Sequence, residues 1–222
     1  MNKDSTIVFD LDGTLVDTLP DLSKALNDVI VRRGYAPVSA EAIRPSVAGG
    51  AKVMIEAALG GATAERDLDQ LLVEFIAYYE ANIAVDSRPF PGVVEALERL
   101  ASAGARLAVC TNKREQLTRK LLQALELDRY FCAIAGRDTL ACAKPDPRHL
   151  TGVISLAGGD CLRAILVGDS DVDLRTAKAA DIPVILVTFG YGPTSFDSLV
   201  ADAVIDHFSE LESCALSLLR EM

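Results

Sequence analysis

The sequence predicts an α/β fold: a doubly wound parallel sheet with a Rossmann-like core and an inserted helical cap domain. Three observations carry that expectation. Four short apolar runs, 7–9, 106–110, 131–135 and 164–167, have the length and residue types of buried strands. Segments with helical spacing separate them, and repeated strand–helix units imply a parallel sheet with helices on both faces. Each run also ends near a polar cluster, on the edge where such sheets bind ligands.

Ile7-Val8-Phe9 forms the first strand, which closes at Asp10. The next core strand starts at about Arg106, and the interval shows helical patterning without a clear strand. One helix is expected from Asp21 to Arg33, stopped by Gly34, and a second from Ala51 to Leu59, stopped by Gly60-Gly61. A third spans Glu65 to Ala81. Its stripe of Leu68, Leu71, Leu72, Phe75, Ile76 and Tyr79 reads as packing rather than ligand contact. Residues 16–86 are therefore assigned to the cap, and 1–15 with 87–222 to the core. The return, Asp86-Ser87-Arg88-Pro89-Phe90-Pro91-Gly92, is proline-rich and reads as a hinge.

Within the resumed core, helices are expected over Gly92–Ala103, Arg114–Glu126, Pro147–Leu156 and Asp171–Ala180. Proline at the start of the third suits a first helical turn. Ile182–Thr188 reads as a fifth strand, Ala203–Ile205 as a short edge, and Phe208–Leu219 as the closing helix.

The 222 residues allow one large or two small domains, and half of them are hydrophobic, enough for a sizeable core. A net charge of −10 argues against nucleic-acid binding. An acidic protein with an anionic substrate then needs local positive charge. The five cysteines, Cys110, Cys132, Cys142, Cys161 and Cys214, show neither zinc spacing nor a disulfide framework. Cys110 and Cys132 read as small buried hydrophobes. His149 and His207 are isolated and read as surface or helix-terminal residues. Arg32-Arg33 and Arg119-Lys120 read as solvated helix faces. Met1-Asn2-Lys3-Asp4-Ser5 is polar, without a signal-peptide pattern, and no apolar run approaches the ~18 residues of a membrane span. The expectation is a reduced, cytoplasmic protein, monomer or homodimer, with no membrane and no nucleic-acid partner.

The most informative residues are Asp10 and Asp12. At i and i+2 of an extended segment, their carboxylates point to one side. Like charges repel, so a cation or a shared chemical task would explain the pair. A plain Asp-Gly turn is one rival. A calcium loop is another, but counting from Asp10 its twelfth position is Asp21 rather than Glu, and a strand precedes it. The other clusters settle the choice: Thr111-Asn112-Lys113 after the second strand, Lys144-Pro145-Asp146-Pro147 beyond the third, and Gly168-Asp169-Ser170-Asp171-Val172-Asp173 after the fourth.

Together these runs resemble the four motifs of the haloacid dehalogenase superfamily, in its magnesium-dependent phosphatase branch. Order and spacing fit over the whole chain, although any single motif is weak. The resemblance implies that Asp10 is a nucleophile forming an aspartyl-phosphate and Asp12 a general acid and base. Mg2+ would be held by Asp10, the Asp12 backbone carbonyl and Asp169, with Asp173 supporting waters or Lys144 behind them. Thr111 would hydrogen-bond phosphate, helped by Asn112 and by backbone N–H groups near Leu11 and Gly13. Lys144 would bridge Asp10 and phosphate. Asp171 reads as a solvated helix N-terminal residue.

Among families of the superfamily, the pattern is most similar to the phosphoglycolate phosphatases, which carry the same Thr-Asn-Lys, Lys-Pro-x-Pro and Gly-Asp-Ser-x-x-Asp runs. This implies a small phosphorylated metabolite, preferably 2-phosphoglycolate. Gly49 and Gly50 open a helix and could hold a carboxylate, with Arg44 and Lys52 adding charge. For each of these four residues an ordinary helix-start role stands equally open, as do the roles of Arg44, Lys52 and Lys113. Alternatives are a phosphatase for pyrophosphate, nucleotides or sugar phosphates, a β-phosphoglucomutase, and a non-catalytic binding module on the same fold.

Overall fold

A computed structural model of the chain describes residues 5–60, 65–192 and 201–221. The Gly61 helix stop and residues 1–4 lie outside the described residues.

The chain order begins with β1 (Thr6–Phe9), β2 (Val16–Asp17), α1 (Leu19–Arg32), α2 (Ala40–Ile43), a 3-10 turn at Arg44–Gly49, α3 (Ala51–Ala58), α4 (Glu65–Ala81) and β3 (Arg88–Pro89). Then come α5 (Val93–Ser102), β4 (Arg106–Cys110), α6 (Glu115–Ala124), β5 (Ala133–Ala135), α7 (Pro147–Leu156), β6 (Ala164–Gly168), α8 (Asp171–Ala179), β7 (Val184–Val187), β8 (Ala203–Ile205) and α9 (Leu211–Glu221).

Six strands form one parallel sheet in the order β5-β4-β1-β6-β7-β8. The central strand is β1, buried along its length as parallel sheets require. Its alternation sorts the core in two. Ile7, Phe9, Leu107, Val109, Ile165 and Val167 face α5, α6 and α9 through Leu97, Leu121 and Leu211. Val8, Ala108, Cys110, Leu166 and Leu186 face α7 and α8 through Leu150, Val153 and Ala177. Register then places the chemistry: Phe9 pairs with both Val109 and Val167. The residues that follow these positions, Asp10, Thr111 and Asp169, therefore emerge together at one edge.

Helices α1 to α4 leave the core between β1 and β4, where helical patterning was expected. Helix α1 starts two residues earlier than predicted, with Pro20 in its first turn. It packs on α4. Phe75 and Tyr79, one turn apart on α4, stack with ring centroids 6.0 Å apart.

Several differences from the sequence expectation have local causes. The short α2 and the 3-10 turn at Arg44–Gly49 were not anticipated, because segments this short leave no period to read. The proline-rich return contains β3, which pairs antiparallel with β2, two residues on each side. Buried Asp21 fastens this ribbon, accepting from the Ser87 amide and hydroxyl at 2.8 Å each and from the Asp86 amide at 3.0 Å. β5 is shorter than read, beginning at Ala133 after a 3-10 turn at Asp128–Tyr130. Cys132 is accordingly exposed rather than buried, while Cys110 is buried as expected. His149 is not a surface residue. It is fully buried on the first turn of α7, with Nε2 3.2 Å from the Gly136 carbonyl and Nδ1 3.6 Å from Cys110 Sγ. Burial and the nearby Lys144 charge push its pKa down to about 4, so it stays neutral.

No described helix is long and apolar enough to cross a membrane.

Candidate active site

Asp10 ends β1, and its amide still bonds across the sheet to the Val167 carbonyl at 2.9 Å. One carboxylate oxygen accepts from the Leu11 amide at 2.7 Å and meets Lys144 Nζ at 3.0 Å. The other oxygen has no hydrogen bond among the described residues. Lys144 also reaches Asp173 at 2.6 Å, and its side chain is 1% exposed.

Asp169, at the end of β6, is held from three directions. The Tyr191 amide donates at 2.6 Å, the Gly192 amide at 3.2 Å and the Thr14 hydroxyl at 3.1 Å. Asp173 sits in the first turn of α8 and closes a reciprocal cap with Ser170, whose hydroxyl donates to it at 2.5 Å.

Asp10, Asp169 and Asp173 thus bring carboxylate oxygens within 4.8 Å of one another, all buried. One ammonium, Lys144, faces these three acids. Burial pushes the Asp10 and Asp169 carboxyls well above the ordinary aspartate range, and the Asp173 charge pushes both further. The site is therefore short of positive charge. Asp173 has committed both oxygens, to Lys144 and to Ser170. Both Asp169 oxygens also accept hydrogen bonds, so the Asp10 oxygen turned away from Lys144 is the one carboxylate oxygen of the three acids without a hydrogen bond among the described residues. Hard carboxylate oxygens without a nitrogen or sulfur donor fit a hard divalent ion.

Gly13 makes this packing feasible. Its φ of +83° lets the chain turn after Asp12, and a Cβ there would run into the Asp169 carboxylate and lie 2.8 Å from the Tyr191 ring. Gly13→Ala is expected to cost about 1–3 kcal/mol of stability and to displace Asp169. Urea unfolding and metal-dependent melting check both effects. An unchanged midpoint with unchanged metal response would contradict this geometry.

Asp12 turns to the other side. It accepts from the Thr18 hydroxyl at 2.7 Å and from Lys113 Nζ at 2.8 and 3.0 Å. Lys113 lies over the Tyr79 ring, 4.6 Å from its centroid. Burial pulls the Lys113 ammonium down, but Asp12 outweighs it and holds the group charged.

These residues open on a cavity of about 260 Å3. Asp10, Asp12, Thr111, Asn112 and Lys113 form its floor, and Val47, Ala48, Gly50, Lys52, Leu72, Phe75 and Tyr79 come from the inserted helices. The α4 stripe, read from sequence as packing alone, does both jobs: Leu68 and Leu71 pack, while Leu72, Phe75, Ile76 and Tyr79 wall the cavity.

The residues of the 44–52 segment expected to read a carboxylate are only partly brought there. Gly50 and Lys52 line the cavity, and Lys52 is 3.5 Å from Asp69. Gly49 and Arg44 do not line it. Gly49 lies against Val53, and Arg44 donates to the Gly190 carbonyl, tying the 3-10 turn to the loop that holds Asp169. Thr111 lines the floor and accepts from the Lys113 amide at 3.2 Å. The Asn112 side-chain amide donates to the Ala48 and Lys144 carbonyls at 3.1 and 3.2 Å, which commits both of its side-chain N–H donors and braces the 3-10 turn against the lysine loop. Asp171 is exposed and paired with Arg175, as a solvated helix-start residue should be.

Sequence reading missed three features: the clamp on Asp12 by Lys113, Arg137 at the cavity rim, and the Gly190-Tyr191-Gly192 loop around Asp169. The last follows β7 at the same sheet edge as the other clusters, which was the available signal.

A buried strand-end carboxylate beside an ammonium, two acids suited to a hard cation, and a small cavity opening from the first of them define a hydrolase site on an α/β core. The chain belongs to the haloacid dehalogenase-like hydrolase family, whose model matches residues 7–187. It is 50% identical over 208 residues to the phosphoglycolate phosphatase of Mesorhizobium japonicum, covering 92% of each chain. To that of Agrobacterium fabrum it is 48% identical over 207 residues, covering 92% of this chain and 89% of the relative. The crystal structure of a predicted phosphoglycolate phosphatase from Haemophilus somnus superposes with a TM-score of 0.89 at 29% identity, over 96% of this chain and 98% of that one.

Proposed function

We propose that the protein is a magnesium-dependent phosphatase for a small phosphorylated metabolite, 2-phosphoglycolate above others, working through an aspartyl-phosphate on Asp10. The observation that carries this reading is the placement of Asp10 and Asp12 on one cavity floor, with Lys144 on the first and the Thr18 hydroxyl and Lys113 ammonium on the second. The full-length similarity to phosphoglycolate phosphatases supports the substrate.

In this reading Asp10 attacks phosphorus and the ester oxygen leaves with a proton from Asp12. Asp12 then takes a proton from the water that attacks the aspartyl-phosphate, and phosphate and a free Asp10 carboxylate result. Lys144 holds Asp10 in place and balances charge, while Thr111 binds a phosphate oxygen. Asp10, Asp169 and the Asp12 carbonyl would hold Mg2+, which would supply neutralising charge for the phosphate oxygens. Residues 16–86 act as the cap, hinged at the β2–β3 ribbon, which excludes water while the phosphoryl group moves. A cavity of about 260 Å3 suits a small ester better than a nucleotide.

The test is phosphate release from 2-phosphoglycolate, pyrophosphate, nucleotides and sugar phosphates, each with Mg2+ and with chelator. Preference for 2-phosphoglycolate, lost by at least about 100-fold with chelator, is expected. Release that ignores the chelator would contradict the metal role, and preference for another ester would contradict the substrate.

A further inference from the structure

We infer that Lys113 is the specificity residue of the cavity: its buried ammonium recognises a carboxylate one carbon from the ester oxygen of the substrate. This rests on the 2-phosphoglycolate reading above and assigns the recognition to a core residue instead of the cap loop.

The side chain of Lys113 is 6% exposed, yet it faces the cavity. Of its three N–H donors, two are accounted for by the Asp12 oxygens, and the Tyr79 ring covers a further side. The ammonium is therefore fixed directly beside the group that must touch the ester oxygen. In 2-phosphoglycolate a single methylene joins that oxygen to the carboxylate. A substrate posed with its ester oxygen on Asp12 can place its carboxylate, one methylene away, beside Lys113.

That neighbourhood offers a second anion little else. Leu22, Val47, Leu72, Phe75 and Ile76 make much of the wall, and burying a carboxylate against them without a cation is costly. The other cations are less committed to this spot: Lys144 is held by Asp10 and Asp173, Lys52 is near Asp69, and Arg114 and Arg137 line the cavity but are exposed to water. The third Lys113 N–H has no hydrogen-bond partner among the described residues, so Lys113 can donate to the carboxylate while keeping Asp12. An ester without the carboxylate fills the same space and leaves this donor unused.

The experiment compares 2-phosphoglycolate with 2-hydroxyethyl phosphate, which has a hydroxymethyl group in place of the carboxylate. The readout is the ratio of their kcat/KM values, in which any fraction of unfolded protein cancels. Lys113→Met is expected to lower both activities, since Asp12 loses a partner. It should also lower the ratio about tenfold to a hundredfold, the worth of one charged hydrogen bond. Lys113→Arg should keep part of the ratio. Should Lys113→Met turn over neither ester, the same ratio is taken on dissociation constants in the Asp10→Asn background. A ratio unchanged in Lys113→Met overturns the inference, and so does a ratio that collapses in Arg137→Ala but not in Lys113→Met. Wild-type enzyme without preference between the two esters would overturn the substrate reading itself. A preference that survives loss of Lys113 overturns only this assignment.

Discussion

Asp10→Asn is expected to lower turnover of 2-phosphoglycolate by about 10,000-fold or more while leaving the protein folded. Asparagine has the shape of aspartate and can still accept from the Leu11 amide and Lys144, so the packing at the end of β1 is kept. It cannot act as the nucleophile. Stability should stay equal or rise, because one of three buried acids within 4.8 Å is neutralised. The pair of results matters more than either alone. Near-normal activity would remove Asp10 from the chemistry. Lost activity with lost folding would make the residue structural. Thermal melting beside a phosphate-release assay separates the cases.

Lys144→Ala is expected to produce the largest loss of stability, about 3–5 kcal/mol in the metal-free protein. The substitution leaves Asp10 and Asp173 buried without their ammonium, and Asp169 close by. The pH dependence has a definite sign. Asp10 and Asp169 already have raised pKa values in the folded protein, so they cost stability when ionised. That cost is full above their folded values. It disappears as pH falls toward the ordinary aspartate value of 3.8, where both folded and unfolded states are protonated. The Lys144→Ala defect should therefore shrink on acidification, and Mg2+ should also reduce it by supplying charge. Urea midpoints at neutral and acidic pH measure this. A defect that stays constant on acidification would mean that Lys144 acts by packing rather than charge. Turnover should fall by at least about 100-fold as well.

Much of this architecture was legible because its signals are local. β4 and α7 fall where apolar runs and a first-turn proline put them, and Asp10, Thr111 and Asp169 emerge together because strand ends in a parallel sheet share an edge. Lys144 was legible through its neighbours in the chain, although no local rule says that a loop lysine will be buried. What escaped depends on contacts between distant segments. Tyr191 reaches Asp169 across 22 positions, and its hydroxyl also binds the Thr18 and Leu19 amides at the start of α1. Lys113 meets Asp12 across 101 positions. Arg44 has the charge for a carboxylate site, but the Gly190 carbonyl claims it. His149 resembles any polar residue early in a helix, and only the sheet packed over α7 makes it internal. Composition and periodicity hold no record of such pairings. The α4 stripe shows a related limit: helical spacing reports that a face is covered, not whether protein or ligand covers it.

The central claim is that Asp10 carries the phosphoryl group during turnover. Its most direct test is acid quenching of the enzyme within one turnover of 2-phosphoglycolate, borohydride reduction of any acyl phosphate, and mass mapping of the peptides. Conversion of Asp10 alone to homoserine, dependent on substrate and Mg2+ and missing in Asp10→Asn, is the predicted result. An unmodified Asp10 during active turnover, or modification at another carboxylate, would contradict the account.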